Sequence, residues 1–307
     1  MTPLGLFHYA RRWLRNLLSL RALTALLSSF GALWLSVEIA TFFLADSEWP
    51  DAIREQWMWF GIVGLGAAMW MCRPQLAVSH KLNGRDVTIQ ITIGDMFTMP
   101  GALIIGSNTT FDTRISRALI AANSVQGSFT KKYYGDETQL DRELTSGLGG
   151  LQFTELTGNR AGKRKRYNFG TCVRLNPKTR TAYFVAIAEI SEHGTASSNF
   201  EGLKESLSKL WVFIGKRGLK ESLVMPVLGT GFSRLSQPRE EVVRETIRSF
   251  IAACSERTFA DSLTIVITPQ DAAKHHISLD ELGSFLRHVC HYASFSENNR
   301  LAVGTPA

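Results

Sequence analysis

Leu23–Leu44, "LTALLSSFGALWLSVEIATFFL", runs for 22 residues with a single charge, Glu38. An α-helix of about 20 apolar residues is long enough to cross the hydrocarbon core of a bilayer, so this run restricts the chain to folds that contain a membrane span or a wholly buried helix. A second run, Trp57–Cys72, "WMWFGIVGLGAAMWMC", is shorter and carries no charge. Its tryptophans stand near both ends, where a membrane interface favours them. Together the two runs predict a transmembrane hairpin over 23–73, with spans at 23–44 and 57–72. A cleaved signal peptide is the alternative for the first run. Against it, the apolar stretch is longer than the roughly 7–15 residues of a signal and no small-residue cleavage pattern follows.

Arg11, Arg12, Arg15 and Arg21 precede the first span, Arg73, Lys81 and Arg85 follow the second, and the connection "ADSEWPDAIREQ" is mostly acidic. Positive flanks stay on the cytoplasmic side, which puts both termini there. Cys72, Cys172, Cys254 and Cys290 are scattered without CxxC or metal-ligand spacing, as free thiols in a reducing compartment would be. The net charge of +7 is spread among mixed signs. The one dense basic cluster, Lys163–Arg166, reads as a solvated loop or a contact for an anion, and a nucleic-acid partner is not expected.

Within the first span Thr24, Ser28, Ala32, Ser36 and Ala40 recur every fourth residue. Small residues at that spacing let helix backbones approach closely in lipid. Glu38 lies roughly 160° around the helix from that stripe and should face another helix or water. A homo-oligomer and a pairing with the second span of the same chain both satisfy these features.

From Asp86 onward, buried runs alternate with amphipathic helices. "VTIQITIGD", "ALIIGSN", "TAYFVAIAE", "SLVMPVLG" and "SLTIVIT" read as strands. "FEGLKESLSKLWVFIGKRG", "QPREEVVRETIRSFIAACSE" and "SLDELGSFLRHV" read as helices, the last with a capping box at Ser278 and Glu281. The pattern predicts an α/β layered domain with a mixed central sheet. The divisions expected are a basic cytoplasmic segment 1–22, the hairpin 23–73, a linker 74–85, the α/β domain 86–295 and a tail 296–307.

Such sheets bind ligands beyond the carboxyl ends of their strands. Three turns stand there: "IGDMF" at 93–97, "GSNTTFDT" at 106–113 and "LGTGFSR" at 228–234. The last sets backbone N–H groups in a glycine turn ahead of a helix, an arrangement suited to a phosphate. His193, His275 and His276 have no partners at ligand spacing, so neither a metal nor a catalytic base is expected at them.

In that order the turns resemble the macro domain, a three-layer α/β fold that binds ADP-ribose. The resemblance implies that Asp95 takes the adenine amino group, Asn108 the distal ribose, and the backbone of Gly229, Thr230, Gly231, Phe232 and Ser233 the diphosphate. Two departures accompany it. Ile105 stands where the family has an earlier Asn, which argues against hydrolysis of ADP-ribose links, and "NSVQGSFTKKYYGD" at 123–136 replaces the family's glycine-run loop.

A longer resemblance rests on "NTTFDT", "SVQGSFTKKYYG", "YFVAIAE" and "VLGTGFSRL" behind two apolar runs. It is similar to the transmembrane macro-domain effectors of Thoeris anti-phage systems. That likeness implies a bacterial inner-membrane protein that needs no cofactor and does not catalyse. It also implies a partner with a TIR domain that makes histidine-ADP-ribose as the messenger, and an output of oligomerisation, membrane disruption and abortive infection. It adds Thr109, Thr110, Gln126, Gly127, Ser128, Lys131 and Arg234 to the ligand-binding candidates. A membrane-tethered ADP-ribosyl hydrolase and a non-catalytic membrane scaffold are the competing readings. Asn108 also fits the cap of a turn, Thr109, Thr110 and Asp112 also fit ordinary turn and N-cap positions, and Phe232 fits either stacking on the ligand or packing in the core.

Overall fold

A computed structural model describes residues 10, 13–14, 16–43, 57–116, 119–157, 161–178, 180–190, 196–229 and 235–293. The chain divides into two compact units between Gln75 and Leu76.

The first unit is a helical pair, α1 (Leu20–Phe43) and α2 (Trp57–Met71). They pack through the small side chains Ala22, Ala25 and Ser29 of α1 and Ala68 beside Cys72. The Phe30 ring seats over Gly64, where a Cβ would lie 2.8 Å from it, and meets Phe60 at 6.2 Å. Ahead of α1, Trp13 Nε1 donates to Met69 O (3.3 Å) and Asn16 Nδ2 donates to Cys72 O (3.1 Å), so the last carbonyls of α2 find partners. The buried face is therefore one residue on from the small-residue stripe: Thr24, Ser28, Ala32 and Ser36 are exposed, Ala40 is half-buried, and Glu38 is exposed. The second helix of the same chain does not cover the stripe.

Among the described residues one helix, Ala22–Phe43, is long and apolar enough to cross a membrane. The two-span expectation is corrected to that extent. At 1.5 Å per residue the 15 residues of α2 rise about 22 Å, short of the roughly 30 Å of a hydrocarbon core.

The second unit is built on a mixed sheet ordered β1-β2-β10-β9-β3-β7-β6. Its parallel centre is β2 (Thr88–Ile93), β10 (Ser262–Ile267), β9 (Leu223–Pro226), β3 (Ala102–Asn108) and β7 (Ala182–Ile190). Antiparallel strands close both edges: β1 (Ala77–Lys81) on β2, and β6 (Cys172–Leu175) on β7, with β8 (Ala196–Ser197) pairing the far end of β7. Strand β1 lies inside the stretch 74–85 read as a linker. Its alternation is weak because one face is solvated, while Val78 packs on Gly283.

Central strands of a parallel sheet are buried on both faces, and alternate residues of one strand enter different cores. Ile104, Tyr183 and Val185 join the core beneath α5 (Phe200–Arg217), α6 (Arg239–Glu256) and α8 (Leu279–Tyr292), the last preceded by the short α7 (Pro269–Lys274). Leu103, Ile105 and Phe184 join the opposite core with Phe129, Leu140 and Leu144. The result is the three-layer α/β arrangement expected. The helix boundaries follow their caps: Asn199 accepts from Gly202 N to start α5, and Ser278 accepts from Glu281 N (3.3 Å) to start α8.

One expectation changes in kind. Residues 123–136, read as a reshaped loop, are largely helical. Ser124 caps α3 (Val125–Phe129), a wide helical turn follows over Thr130–Tyr134, and Gly135 ends it at φ 74°. The helix forms because Phe129 is an apolar anchor, fully buried and edge-on to Phe184 at 5.3 Å. After it, α4 (Glu137–Gly147) returns along the sheet, and a short hairpin of β4 (Thr154–Glu155) and β5 (Lys165–Arg166) leads to β6.

Candidate functional site

The parallel strands β2, β3 and β9 deliver three turns to one end of the sheet. Gly94 follows β2 and donates its N–H to Ile267 O at the end of β10 (2.9 Å), so those two ends are fastened together. Asp95 comes next, exposed, with one carboxylate oxygen accepting from Phe97 N (2.9 Å) to cap a 3₁₀ turn.

Strand β3 ends in a closed polar knot. Asn108 Oδ1 accepts from Thr110 N (3.1 Å), Thr110 Oγ1 (3.0 Å) and Asp112 N (3.0 Å), and its Nδ2 donates to Asp112 Oδ2 (3.3 Å). Thr110 Oγ1 also reaches Asp112 Oδ2 (2.7 Å), and the other Asp112 oxygen accepts from Lys163 N (2.8 Å). A buried carboxylate is tolerable only when its lone pairs are met, and here main-chain and side-chain donors meet them. Asn108 thus serves as the turn's cap in this structure. Thr109 is different. Its main chain bonds Ala188 O and Tyr167 N, yet its buried hydroxyl has no hydrogen-bond partner among the described residues. An unmet buried polar group of this kind costs about 1–3 kcal/mol.

The α3 candidates back onto this knot. Gln126 Nε2 donates to Asp112 O (2.7 Å) and its Oε1 accepts from Ser107 Oγ (3.2 Å), so Gln126 pins α3 to β3. Gly127 N donates to Ser124 Oγ (3.0 Å), and a Cβ there would strike the carbonyls of Ala121 and Ala122. Ser128 is half-buried and Lys131 is exposed. The neighbouring Lys132 donates to Phe97 O (3.0 Å) in the turn after β2.

Past β9, Gly229 is buried at φ 73°, a left-handed turn that favours glycine, and its carbonyl accepts from Leu235 N (3.1 Å). The proposed diphosphate residues Thr230, Gly231, Phe232, Ser233 and Arg234 lie between those two positions and outside the described residues, as does His193.

Asp112 and Asp141 were not anticipated as organisers. Asp141 accepts from Thr113 Oγ1 (2.7 Å) and pairs with Lys163 Nζ (2.7 Å). Burial pushes its pKa up, but the bonds from Lys163 and Thr113 outweigh it and hold the carboxyl below its ordinary value. The signal available in sequence was Lys163 at the head of the basic cluster; its partners are 51 and 22 residues away, beyond the reach of local pattern. Among the described residues no group of His, Cys, Asp and Glu could hold a metal ion.

Five parallel strands between antiparallel edges, helices on both faces and polar turns gathered at the strand ends define an α/β domain of the macro type. The chain belongs to the family described as Thoeris protein ThsA, Macro domain, whose pattern matches residues 89–268. Thoeris protein ThsA of Bacillus amyloliquefaciens (strain Y2) is 26% identical over 163 residues, which are 51% of this chain and 52% of that protein. The chain therefore spans about half the length of that curated relative. Among solved structures, the Oceanobacillus iheyensis macrodomain with ADP aligns with 71% of this chain and 97% of its own at 14% identity and a TM-score of 0.46. The Trypanosoma brucei macrodomain in complex with ADP-ribose aligns with 65% and 68% at 12% identity and a TM-score of 0.40.

Proposed function

We propose that this chain is a membrane-anchored anti-phage effector whose macro domain binds an ADP-ribose-derived messenger, histidine-ADP-ribose, made by a TIR-domain partner. The observation that carries the reading is one chain joining a Thoeris macro domain over 89–268 to the membrane-length helix Ala22–Phe43. Asp95, Asn108, Thr109 and the segment Gly229–Arg234 line the nucleotide site, with Thr110, Gln126, Gly127, Ser128 and Lys131 framing its ribose end. The unmet Thr109 hydroxyl supports this, since a ligand hydroxyl would supply its missing bond. Ile105 is fully buried in the apolar core, so β3 offers no polar group there to position water, and the domain acts as a receptor rather than a hydrolase.

In this reading α1 anchors the chain in the bacterial inner membrane. Messenger binding shifts an equilibrium between states of the hairpin, and can do so only through unequal affinity for them. The uncovered stripe Thr24, Ser28, Ala32 and Ser36, continued by Ala40, then meets further copies of α1, while Glu38 faces water or a second helix. Disruption of the bilayer aborts infection.

The test is membrane depolarisation in cells that make the messenger. Wild type should depolarise them. Gly231→Glu, which sets negative charge in the phosphate turn, should not depolarise them. Glu38→Ala should also fail while still binding messenger. Full depolarisation by Glu38→Ala would contradict a membrane output through that helix.

A further inference from the structure

Strand β1 and helix α8 run side by side in the same direction. Val78 packs on Gly283, where a Cβ would lie 3.2 Å from its Cγ1, and further along Asn83 N donates to Cys290 O (3.0 Å). Alternate residues of a strand share a face, and residues four apart share a face of a helix. His80 therefore follows Val78, and Arg287 follows Gly283, onto one seam. There the strand, the helix and the β1–β2 turn enclose a cavity of about 600 Å³, within the roughly 300–1,000 Å³ of a small-molecule pocket. It lies apart from the proposed nucleotide site: that site follows the carboxyl end of β2 and this cavity adjoins its amino end, six residues or about 20 Å away.

The lining is basic. Three permanent cations, Lys81, Arg85 and Arg287, face a single carboxylate, Asp86, which leaves two positive charges with His80 and His291 neutral. Lys81 and Arg85, counted in the sequence among the cytoplasmic flanking charges, belong to this folded lining. Asp86 is taken by Lys81 Nζ (2.8 Å), and Arg85 Nη2 donates to Ser255 O (3.2 Å). The side chains of His80 and Arg287 make no hydrogen bond or ion pair among the described residues. The carbonyls at the end of α8 would bring partial negative charge, but Asn83 meets two of them, its Nδ2 donating to His291 O (3.3 Å). Cys290 lines the cavity as a neutral thiol, its pKa pushed up to about 11 by burial.

We propose that this cavity is a second ligand site, which binds an organic phosphate monoester as its dianion. The planar fork of Arg287 matches two phosphate oxygens, and the imidazole of His80 donates to a third. Two surplus positive charges match a dianion better than a carboxylate. The volume left over by the phosphate takes an organic body against Leu82. A soluble sugar phosphate and the headgroup of phosphatidic acid share this chemistry.

The experiment is calorimetric titration of the full chain in detergent with glycerol 3-phosphate, with micelles carrying phosphatidic acid, and with acetate as the singly charged control. Wild type should bind a phosphate probe saturably and acetate at least about tenfold more weakly. Arg287→Gln should weaken phosphate binding about tenfold or more, and His80→Leu about threefold or more. Neither side chain has a partner to lose, so the thermal midpoint of both variants should match wild type, which reports intact folding. Gly231→Glu, at the strand-end turn, should leave phosphate binding in place. Binding of glycerol 3-phosphate supports the site with a soluble ligand, and binding of phosphatidic acid alone supports it with a lipid headgroup. No binding of either probe at millimolar concentration, equal binding of acetate, or unchanged affinity in both variants overturns the proposal. Loss of phosphate binding in Gly231→Glu also overturns it, since the anion would then belong to the strand ends.

Discussion

Asn108 and Thr109 are neighbours with opposite energetic roles, and substitutions should separate them. Asn108→Ala leaves Thr110 N and Asp112 N without their acceptor, while Thr110 Oγ1 keeps Asp112 Oδ2. It should lower stability by about 1–3 kcal/mol, read from urea unfolding. Thr109→Val keeps the shape and removes a hydroxyl that has no partner, so it should hold or raise stability by up to about 1 kcal/mol while weakening ligand binding. Unaltered affinity would remove Thr109 from the site.

Asp141 makes a pH prediction. Its pKa is depressed below 3.8, so its contribution is present above that value and is lost as pH falls through the folded-state pKa. Stability should fall as the pH drops below about 4, and Lys163→Met should flatten that fall. At this scale the sequence was partly legible. "NTTFDT" announces a polar turn through its side chains, and the capping reading of Asn108 is the one seen here. The dependence of that turn on Lys163 was hidden, because a carboxylate's partners are set by tertiary folding and leave no periodic trace.

The two helices of the first unit follow different rules. α1 buries Ala22, Ala25 and Ser29 within the hairpin and leaves Thr24, Ser28, Ala32 and Ser36 open. Ser28→Leu or Ala32→Leu should therefore spare the hairpin and block association between copies, measured by cross-linking in the presence of messenger. Undiminished cross-linking would count against the stripe. Four-residue spacing was visible in sequence, but which of two adjacent small-residue faces meets α2 was not, since Ala25 and Ser29 offer the same spacing one residue on.

In the α/β unit, "ALIIGSN" coincides with β3 because a strand buried on both faces is continuously apolar. Strand β1 was missed for the converse reason: its edge position lets "AVSHK" stay polar. The helix α3 was missed because Gly127 and Ser128 argue for a loop, while the burial of Phe129 decides otherwise. Helix α8 was legible from its box, and Ser278→Ala should cost about 1 kcal/mol by losing the bond to Glu281 N.

Taken whole, the molecule couples a unit with the layers and strand-end turns of a macro domain to a helix with the length and composition of a membrane span. Layer order was readable because alternating buried runs and amphipathic helices admit few architectures. The proposed nucleotide site was suggested less directly, through turns whose meaning came from resemblance. The central claim is that the strand ends bind an ADP-ribose-type ligand, and calorimetric titration of the full chain in detergent with histidine-ADP-ribose tests it most directly. The account predicts saturable binding to one site per chain that Gly231→Glu abolishes; the absence of heat up to millimolar ligand, or binding untouched by that substitution, would contradict it.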